Sequence, residues 1–492
     1  MNQYKICYVS SEVVPFAKTG GLADVAGTLP IALKEFDQDV RLMMAKYKSI
    51  NERKFVLREV IRLKEVNVTL GDETKIADGK TAFLPDSKVH VYFLHIPDYF
   101  DRKDLYVDSK TGRDFEDNAE RFAFFSKSVL ETLKLLYWQP DIIHCNDWQT
   151  ALIPFYLKTH YKDDEFFKNT HTILTIHNLA YQGSFPLEKA EKIGIPSKYV
   201  APGKEFEFYG KLNLLKGGIH FADILSTVSE KYAEEITTDP DYGYGFEEIL
   251  AGRKDDVYGI LNGVDYSSWD PEFDTLIPAN YSIENLEDKS ENKKILCKQS
   301  NLEYNEDTPV IGMISRLDAQ KGFDLLADAA AQLLKMDVQM VILGTGDPKY
   351  HDLLNKLAKK HAGKLSVNLR FDNRLAHLIE AGSDMYLMPS RYEPCGLNQM
   401  YSLRFGTVPI VRETGGLADT IRNFDPVTGE GNGFSFKKYD AAEMLDAITR
   451  AVKTFADKNT WIQIQKTGMA ADFSWSRSAE KYMELYEKTV SK

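Results

Sequence analysis

The chain has 492 residues, of which 43% are hydrophobic and 27% charged. That is the composition of a soluble globular protein, and it excludes a disordered, collagen-like or disulfide-scaffold chain. Sixty-one Lys and Arg against 73 Asp and Glu leave a net charge of −12, which argues against a nucleic-acid binder with its basic excess. The length corresponds to about two to four domains at ~100–200 residues each.

No run of about 18 apolar residues exists, so no membrane span is expected. The apolar run 6–9 is too short for a secretory signal and reads as a first strand. The four cysteines, Cys7, Cys145, Cys297 and Cys395, lack the paired spacing of a metal site. They read as free thiols in a reducing cytoplasm.

In chain order, the first strand leads into Lys18 and the hexapeptide Thr19-Gly20-Gly21-Leu22-Ala23-Asp24, which opens a helical pattern over about 22–36. Short, nearly continuous apolar runs follow at 141–144, 172–176 and 224–228. Such runs suit strands buried on both faces of a parallel sheet. The first of the three leads to Asp147 and Trp148, and the second to His177 and Asn178. A carboxylate beside an exposed indole suits a sugar, whose carbon face stacks while its hydroxyls donate to the acid. His177 reads equally as a structural histidine until its place at a strand end is counted. Asp239-Pro240-Asp241 could chelate a metal, but its Pro and Gly surroundings favour a solvated turn.

A second strand–helix series begins with a strand at 309–314 and a helix at about 322–334. Strands at 339–343, 385–388 and 408–411 continue it. The polar stretch 280–294 reads as a connector with a surface helix, and the domain junction is placed before it, near residue 257. The alternation predicts two doubly wound α/β domains. Ligands of such sheets bind beyond the carboxyl ends of the strands.

The hexapeptide recurs at 414–419, from Thr414 through Gly415 and Gly416 to Asp419. Thr-Gly-Gly can be no more than a turn and helix start. Paired glycines before a helix can also bring backbone N–H groups to an anion such as phosphate. Arg316 and Lys321 follow one strand and are either a solvated loop or a phosphate contact. Glu393 follows another, between Tyr392 and Pro394. It reads as an acid in an active cleft with Tyr392 stacking on a flat ligand, or as a surface turn. Cys395 reads as a packed thiol, with no His nearby to activate it. Gly344-Thr345-Gly346 is a fragment of a dinucleotide fingerprint without its third glycine, so an NAD-dependent dehydrogenase is a weak alternative.

Together these motifs resemble the bacterial-type glycogen synthase and plant starch synthase family over nearly the whole chain. The resemblance rests on residues 18–22, Asp147-Trp148, 175–183, Leu261-Asn262-Gly263-Val264-Asp265, Arg316 with Lys321-Gly322, 389–397, the second hexapeptide and Phe473-Ser474-Trp475. It implies a GT-B fold, with two Rossmann-like domains facing a deep cleft. Residues 1–256 would be the acceptor-side domain and 257–472 the nucleotide-sugar domain. Residues 473–492 would form a helix returning to the first domain.

The resemblance further implies a cytoplasmic enzyme that moves glucose from ADP-glucose to the 4-hydroxyl of an α-1,4-glucan, with retention of configuration. It implies no metal, cofactor, nucleic-acid or membrane partner, and sets no oligomeric state. By motif, Arg316 and Lys321 would neutralise the diphosphate, assisted by Gly415, Gly416 and Thr414. Lys18 and Gly21 would approach from the other domain. Glu393 would contact the transferred glucose, beside Tyr392, Cys395, Gly396 and Leu397, and His177 would reach its 6-hydroxyl. Asp24, Asp147, Trp148 and Asn262 would line the sugar and acceptor side, with Tyr106 a looser match. Two departures stand out: Gln149 where many relatives carry His, and Arg370 near the expected base pocket where some carry Gly. The alternatives are a retaining transferase using UDP-glucose and a non-catalytic glucan- or sugar-nucleotide-binding homologue.

Overall fold

The computed structural model describes residues 2–492, which form two compact units. The first comprises the chain up to Val228, Ala233–Gly263 and Trp475–Lys492. Its strands are β1 (Lys5–Val9), β2 (Asp39–Ala45), β3 (Arg58–Glu59), β4 (Val66–Leu70), β5 (Glu73–Phe83), β6 (His90–His95), β7 (Ile142–Asn146), β8 (His171–Ile176), β9 (Ile224–Thr227) and β10 (Val257–Gly259). They form one sheet in the order β10-β9-β8-β7-β1-β2-β6-β5-β3, with β4 paired to β5. From β10 to β6 every pairing is parallel. The interior strands are apolar because helices cover both faces: β7 and β9 are buried at every position.

The far edge differs from the all-parallel reading. Strand β5 runs antiparallel to β6, β4 and β3. Strand β4 alternates buried and exposed residues, as a strand wet on one face does. The chain order reverses at β1, which lies between β2 and β7. That reversal is the switch point at which such sheets hold ligands.

Two helices position the site of this unit, α1 (Gly21–Glu35) directly after β1 and α2 (Asn118–Leu135). The C-terminal helix Trp475–Val490 packs on the same sheet. His144 on β7 bonds Tyr486 through Nδ1 (2.8 Å) and Thr175 on β8 through Nε2 (2.6 Å). Burial pulls His144 down to about 3, so this contact is a neutral network. The junction set near residue 257 falls early, because β10 pairs with β9 and the unit runs on to Gly263.

The second unit comprises Ser229–Tyr232 and Val264–Ser474. Its strands are β11 (Val310–Ile314), β12 (Gln339–Leu343), β13 (Leu365–Asn368), β14 (Met385–Met388), β15 (Val408–Arg412) and β16 (Phe434–Phe436). The sheet is wholly parallel, in the order β13-β12-β11-β14-β15-β16. Helices α3 (Lys289–Gln299), α4 (Phe323–Leu333), α5 (Asn373–Gly382), α6 (Asn398–Arg404) and α7 (Gly415–Thr420) accompany it. Ile311, Met313, Met340, Ile342, Leu387 and Ile410 pack with Phe323, Leu326 and Leu333 in its core. Here the chain order reverses between β11 and β14.

The polar stretch 280–294 is less superficial than its composition suggests. Lys289 is buried, and its ammonium bonds the carbonyls of Glu380, Ala381 and Phe405 and the hydroxyls of Thr407 and Tyr281 at 2.7–3.3 Å. One amine, which burial pulls down to about 7, therefore ties the start of α3 to the carboxyl ends of α5 and α6. Asp239 accepts the N–H of Asp241 (2.9 Å) and caps a short helix. Among the described residues, no group of three or more His, Cys, Asp or Glu could hold a metal ion. No helix among them is long and apolar enough to cross a membrane.

Candidate active site

In the second unit the polar residues gather at the β11/β14 switch point. Arg316 and Lys321 follow β11, while Ser390 and Glu393 follow β14. Together with Ser315, Gly396, Leu397 and Asn398 they line a cavity of about 200 Å³. Lys321 Nζ lies 2.6 Å from Glu393 Oε2, and the Ser390 hydroxyl donates to the same oxygen at 2.9 Å. The Lys321 and Glu393 side chains are 17% and 8% exposed. Arg316, in contrast, is 56% exposed and faces Asp318 across 3.6 Å.

Local geometry explains this convergence. Asp318 caps the turn by accepting the N–H of Lys321 (3.2 Å). Gly322 then takes φ +75°, and a Cβ there would lie 2.1 Å from the Pro389 carbonyl. Gln320 donates to the Tyr392 carbonyl (3.1 Å) and accepts the Arg391 N–H on its own carbonyl (2.7 Å). The two strand-end loops are thus laced together, which brings the lysine to the glutamate. Cys395 is a buried free thiol.

The second Thr-Gly-Gly lies against this loop, and its glycines have an internal cause. A Cβ on Gly415 would sit 2.0 Å from the Glu393 carbonyl oxygen, and one on Gly416 would sit 2.1 Å from that of Cys395. The Gly416 N–H already donates to the carbonyls of Glu393 (3.2 Å) and Pro394 (3.3 Å). It therefore holds the Glu393 loop in this arrangement. Thr414 is fully buried beside it. Arg370 is held by Asp372 (2.9 Å) and Asn368 (3.3 Å) just beyond β13.

In the first unit the cluster lies at the β1/β7 switch point. Asp147 follows β7 with φ +55° and accepts the His177 backbone N–H at 2.7 Å. This bond joins the ends of two adjacent parallel strands. Burial, with Glu12 nearby, raises Asp147 to about 7. His177 is buried, which pulls it down to about 3 and keeps the imidazole neutral. Its Nε2 lies 2.8 Å from Asn146 Oδ1, while Asn146 Nδ2 donates to the Val9 carbonyl at 2.9 Å. With the amide oriented that way, Nε2 carries the proton and Nδ1 is the basic nitrogen.

Lys18 pairs with Asp24 at 2.7 Å. Burial raises Asp24 above the usual carboxylate range, against the pull of Lys18. Nothing within 4 Å would meet a Cβ on Gly20 or Gly21, so no internal packing demands glycine in this first copy. Trp148 is only 8% exposed, which corrects the expectation of an exposed indole. It packs edge-on to Phe122 and Phe185, and a Cβ on Gly183 would lie 2.5 Å from its ring. Asn262 and Gln149 are both buried, and their side-chain carbonyl oxygens have no hydrogen-bond partner.

Sequence reasoning missed Glu12. It follows β1, and its carboxylate takes donors from Thr19, Gly20 and Tyr106. Its position beyond the first buried strand was the signal available. Asn146 was missed as well, though it ends β7 one residue before Asp147.

Two family models cover most of the chain. The model described as starch synthase catalytic domain matches residues 5–252, and the one described as glycosyl transferases group 1 matches residues 298–467. A sucrose-phosphate synthase from Thermosynechococcus elongatus shares the fold, with a TM-score of 0.60 over 99% of this chain and 100% of that one at 16% identity. Two parallel-sheet units with polar clusters at their switch points, matched in this way, define a glycosyltransferase of GT-B type. Glycogen synthase from Desulforudis audaxviator is 46% identical over 99% of this chain and 97% of that protein. Glycogen synthase from Thermotoga maritima is 46% identical over 99% of each. The catalytic domain of starch synthase IV from Arabidopsis thaliana, solved with ADP and acarbose, superposes with a TM-score of 0.90 at 31% identity over 100% of both chains. The chain belongs to the glycogen synthase and starch synthase family.

Proposed function

We propose that this enzyme transfers glucose from ADP-glucose to the non-reducing 4-hydroxyl of an α-1,4-glucan, with retention of configuration. The observation that carries the reading is the Lys321–Glu393 pair with Arg316 in one strand-end cavity. Departure of a diphosphate from an oxocarbenium-like centre is the demanding step, so fixed positive charge on the phosphates lowers the barrier most. Lys321 and Arg316 supply that charge from the end of β11. Glu393, turning from Lys321 to the sugar, accepts hydrogen bonds from glucose hydroxyls beside the anomeric carbon.

In the first unit, the neutral imidazole of His177 suits hydrogen bonding to a sugar hydroxyl through Nδ1. With Nε2–H held by Asn146, it does not serve as a cationic acid. Asp147 positions His177 through its backbone bond. Trp148, being packed, supports the wall of the site. Retention follows a front-face course in which the departing phosphate oxygen takes the acceptor proton. ADP in the Arabidopsis starch synthase structure supports adenine as the base. The enzyme acts in the cytoplasm, where its four free cysteines stay reduced.

The test is incubation of purified enzyme with glycogen and labelled ADP-glucose or UDP-glucose. Incorporation into polymer from ADP-glucose is expected to dominate. Label entering polymer from UDP-glucose alone would overturn the donor assignment, and none from either would overturn the function.

A further inference from the structure

We propose that Glu12 is a positioning residue of this enzyme, a single carboxylate that fixes the 18–21 loop and Tyr106 in one arrangement. The inference rests on the function proposed above. Glu12 is 4% exposed and follows β1. Its Oε2 accepts the backbone N–H of Thr19 and that of Gly20 (3.1 Å). Its Oε1 accepts the Thr19 hydroxyl (2.6 Å) and the Tyr106 phenol (2.8 Å). A carboxylate has about four lone-pair directions, and each is used.

The need for Glu12 arises from the glycine loop. Gly20 is the N-cap of α1 and has no side chain to cap with. Glu12 takes the donors that precede the helix and places negative charge at its amino end, where the helix dipole favours it. The loop can then keep two glycines, open to ligand approach, without leaving its own N–H groups unsatisfied.

Tyr106 is fixed from both ends. Its hydroxyl donates to Glu12 and accepts from Ser11 at 2.6 Å. Its carbonyl accepts from Asn118 Nδ2 at 2.9 Å. Asn118 Oδ1 in turn accepts from the fully buried Arg121 (2.6 Å), which also donates to the carbonyls of Tyr99 (2.9 Å) and Leu105 (3.0 Å). The loop before α2 is therefore built around a buried guanidinium, and its tip is pinned to Glu12. Through that one carboxylate, displacement of Tyr106 and displacement of Lys18 and Gly21 become coupled.

Glu12→Met is the sharp perturbation, because it keeps an unbranched chain of similar length and removes all four acceptor directions. Both the glycine loop and Tyr106 then lose their anchor. Glu12→Gln is the conservative control: its amide oxygen can accept the Thr19 and Gly20 N–H groups while its NH2 donates to the Thr19 and Tyr106 hydroxyls, which accept as well as donate. Tyr106→Phe removes only the link and leaves Glu12 on the loop. Steady-state kinetics with varied sugar nucleotide and varied glycogen, together with melting curves, would be measured for all three variants and for Glu12→Met combined with Tyr106→Phe. Expected are a loss of kcat/KM for the sugar nucleotide of at least about tenfold in Glu12→Met with KM raised, recovery of most of that loss in Glu12→Gln, and a Glu12→Met/Tyr106→Phe double variant losing less than the product of the single losses. Wild-type KM values for both substrates in folded Glu12→Met would overturn the inference, as would single losses of Glu12→Met and Tyr106→Phe that simply multiply. Wild-type enzyme that transfers no glucose from either nucleotide sugar would instead overturn the function, and the inference with it.

Discussion

Replacing Lys321 by Met separates a structural role from a catalytic one. The substitution keeps an unbranched chain and removes the charge. Glu393 would then keep only the Ser390 hydroxyl at 2.9 Å of the two contacts on Oε2. Stranding one member of a buried pair costs ~3–5 kcal/mol. Lys321 retains 17% exposure, so water can partly replace it and the expected loss is about 2–3 kcal/mol. The catalytic loss is separate: one fixed charge removed from a departing diphosphate costs roughly 10²–10³ in rate.

Arg316→Met is the control. Its side chain is 56% exposed, so its stability loss should stay within about 0.5 kcal/mol, with a rate loss of similar order to that of Lys321→Met. Denaturant unfolding and labelled-glucose incorporation at several donor concentrations would measure both quantities. A stable, inactive Arg316→Met beside a destabilised, inactive Lys321→Met is expected. If Lys321→Met were destabilised but retained wild-type kcat/KM, Lys321 would be only the counter-ion of Glu393, and its role at the diphosphate would be refuted.

The remaining predictions follow from the same geometry. Gly21→Ala should melt at or slightly above the wild-type temperature, since its Cβ meets nothing within 4 Å and Ala gains about 0.4–1 kcal/mol where the backbone is compatible, yet lose at least about tenfold in kcat/KM if a ligand approaches there. Gly416→Ala, with its Cβ 2.1 Å from a backbone oxygen, should fail to accumulate as folded protein, as soluble yield and melting would show. Asp147 is raised from 3.8 to about 7 by burial, with Glu12 adding to the rise; a carboxyl with a raised folded value contributes stability at low pH that is lost as pH climbs from about 4 to 7. Melting curves of wild type and Asp147→Asn across that window should therefore move in favour of the variant and run parallel above it; a constant gap would show that Asp147 does not titrate there. Lys289→Met should cost about 3 kcal/mol, because several carbonyls lose a buried donor, and denaturant unfolding would read the loss.

The strands were legible where the sheet is parallel and covered on both faces, because burial there writes a continuous apolar run. Strands β7, β8, β9, β11 and β14 all read this way, and the residues just beyond them include Asp147, His177, Arg316 and Glu393. The edge from β3 to β5 was not read, where β4 alternates buried and exposed residues and merges with the loops around it; β2 and β6 were missed as well, although the two pair in parallel and are largely buried. Lys289 was read as surface because its segment is polar, and only folding brings helix-end carbonyls from about ninety residues away. Trp148 was placed outward on local grounds, but its burial depends on Phe122 and Phe185. Glu12 has only its place beyond β1 to mark it. Its meaning comes from Tyr106, 94 residues on.

The repeated hexapeptide shows most directly what sequence identity leaves open. Six identical residues open a helix in both units, and the sequence alone assigns both copies the same purpose. In the second copy, backbone carbonyls of the Glu393 loop stand where a Cβ would be, so glycine is required before any ligand arrives. In the first, the space is open and a glutamate beyond β1 satisfies the preceding N–H groups. The second copy therefore holds the segment that carries Glu393. The first keeps its glycines without an internal reason, which leaves its backbone open to the ligand approach proposed above. Substitutions at Gly416 and Gly21 should thus fail for opposite reasons, one in folding and the other in turnover.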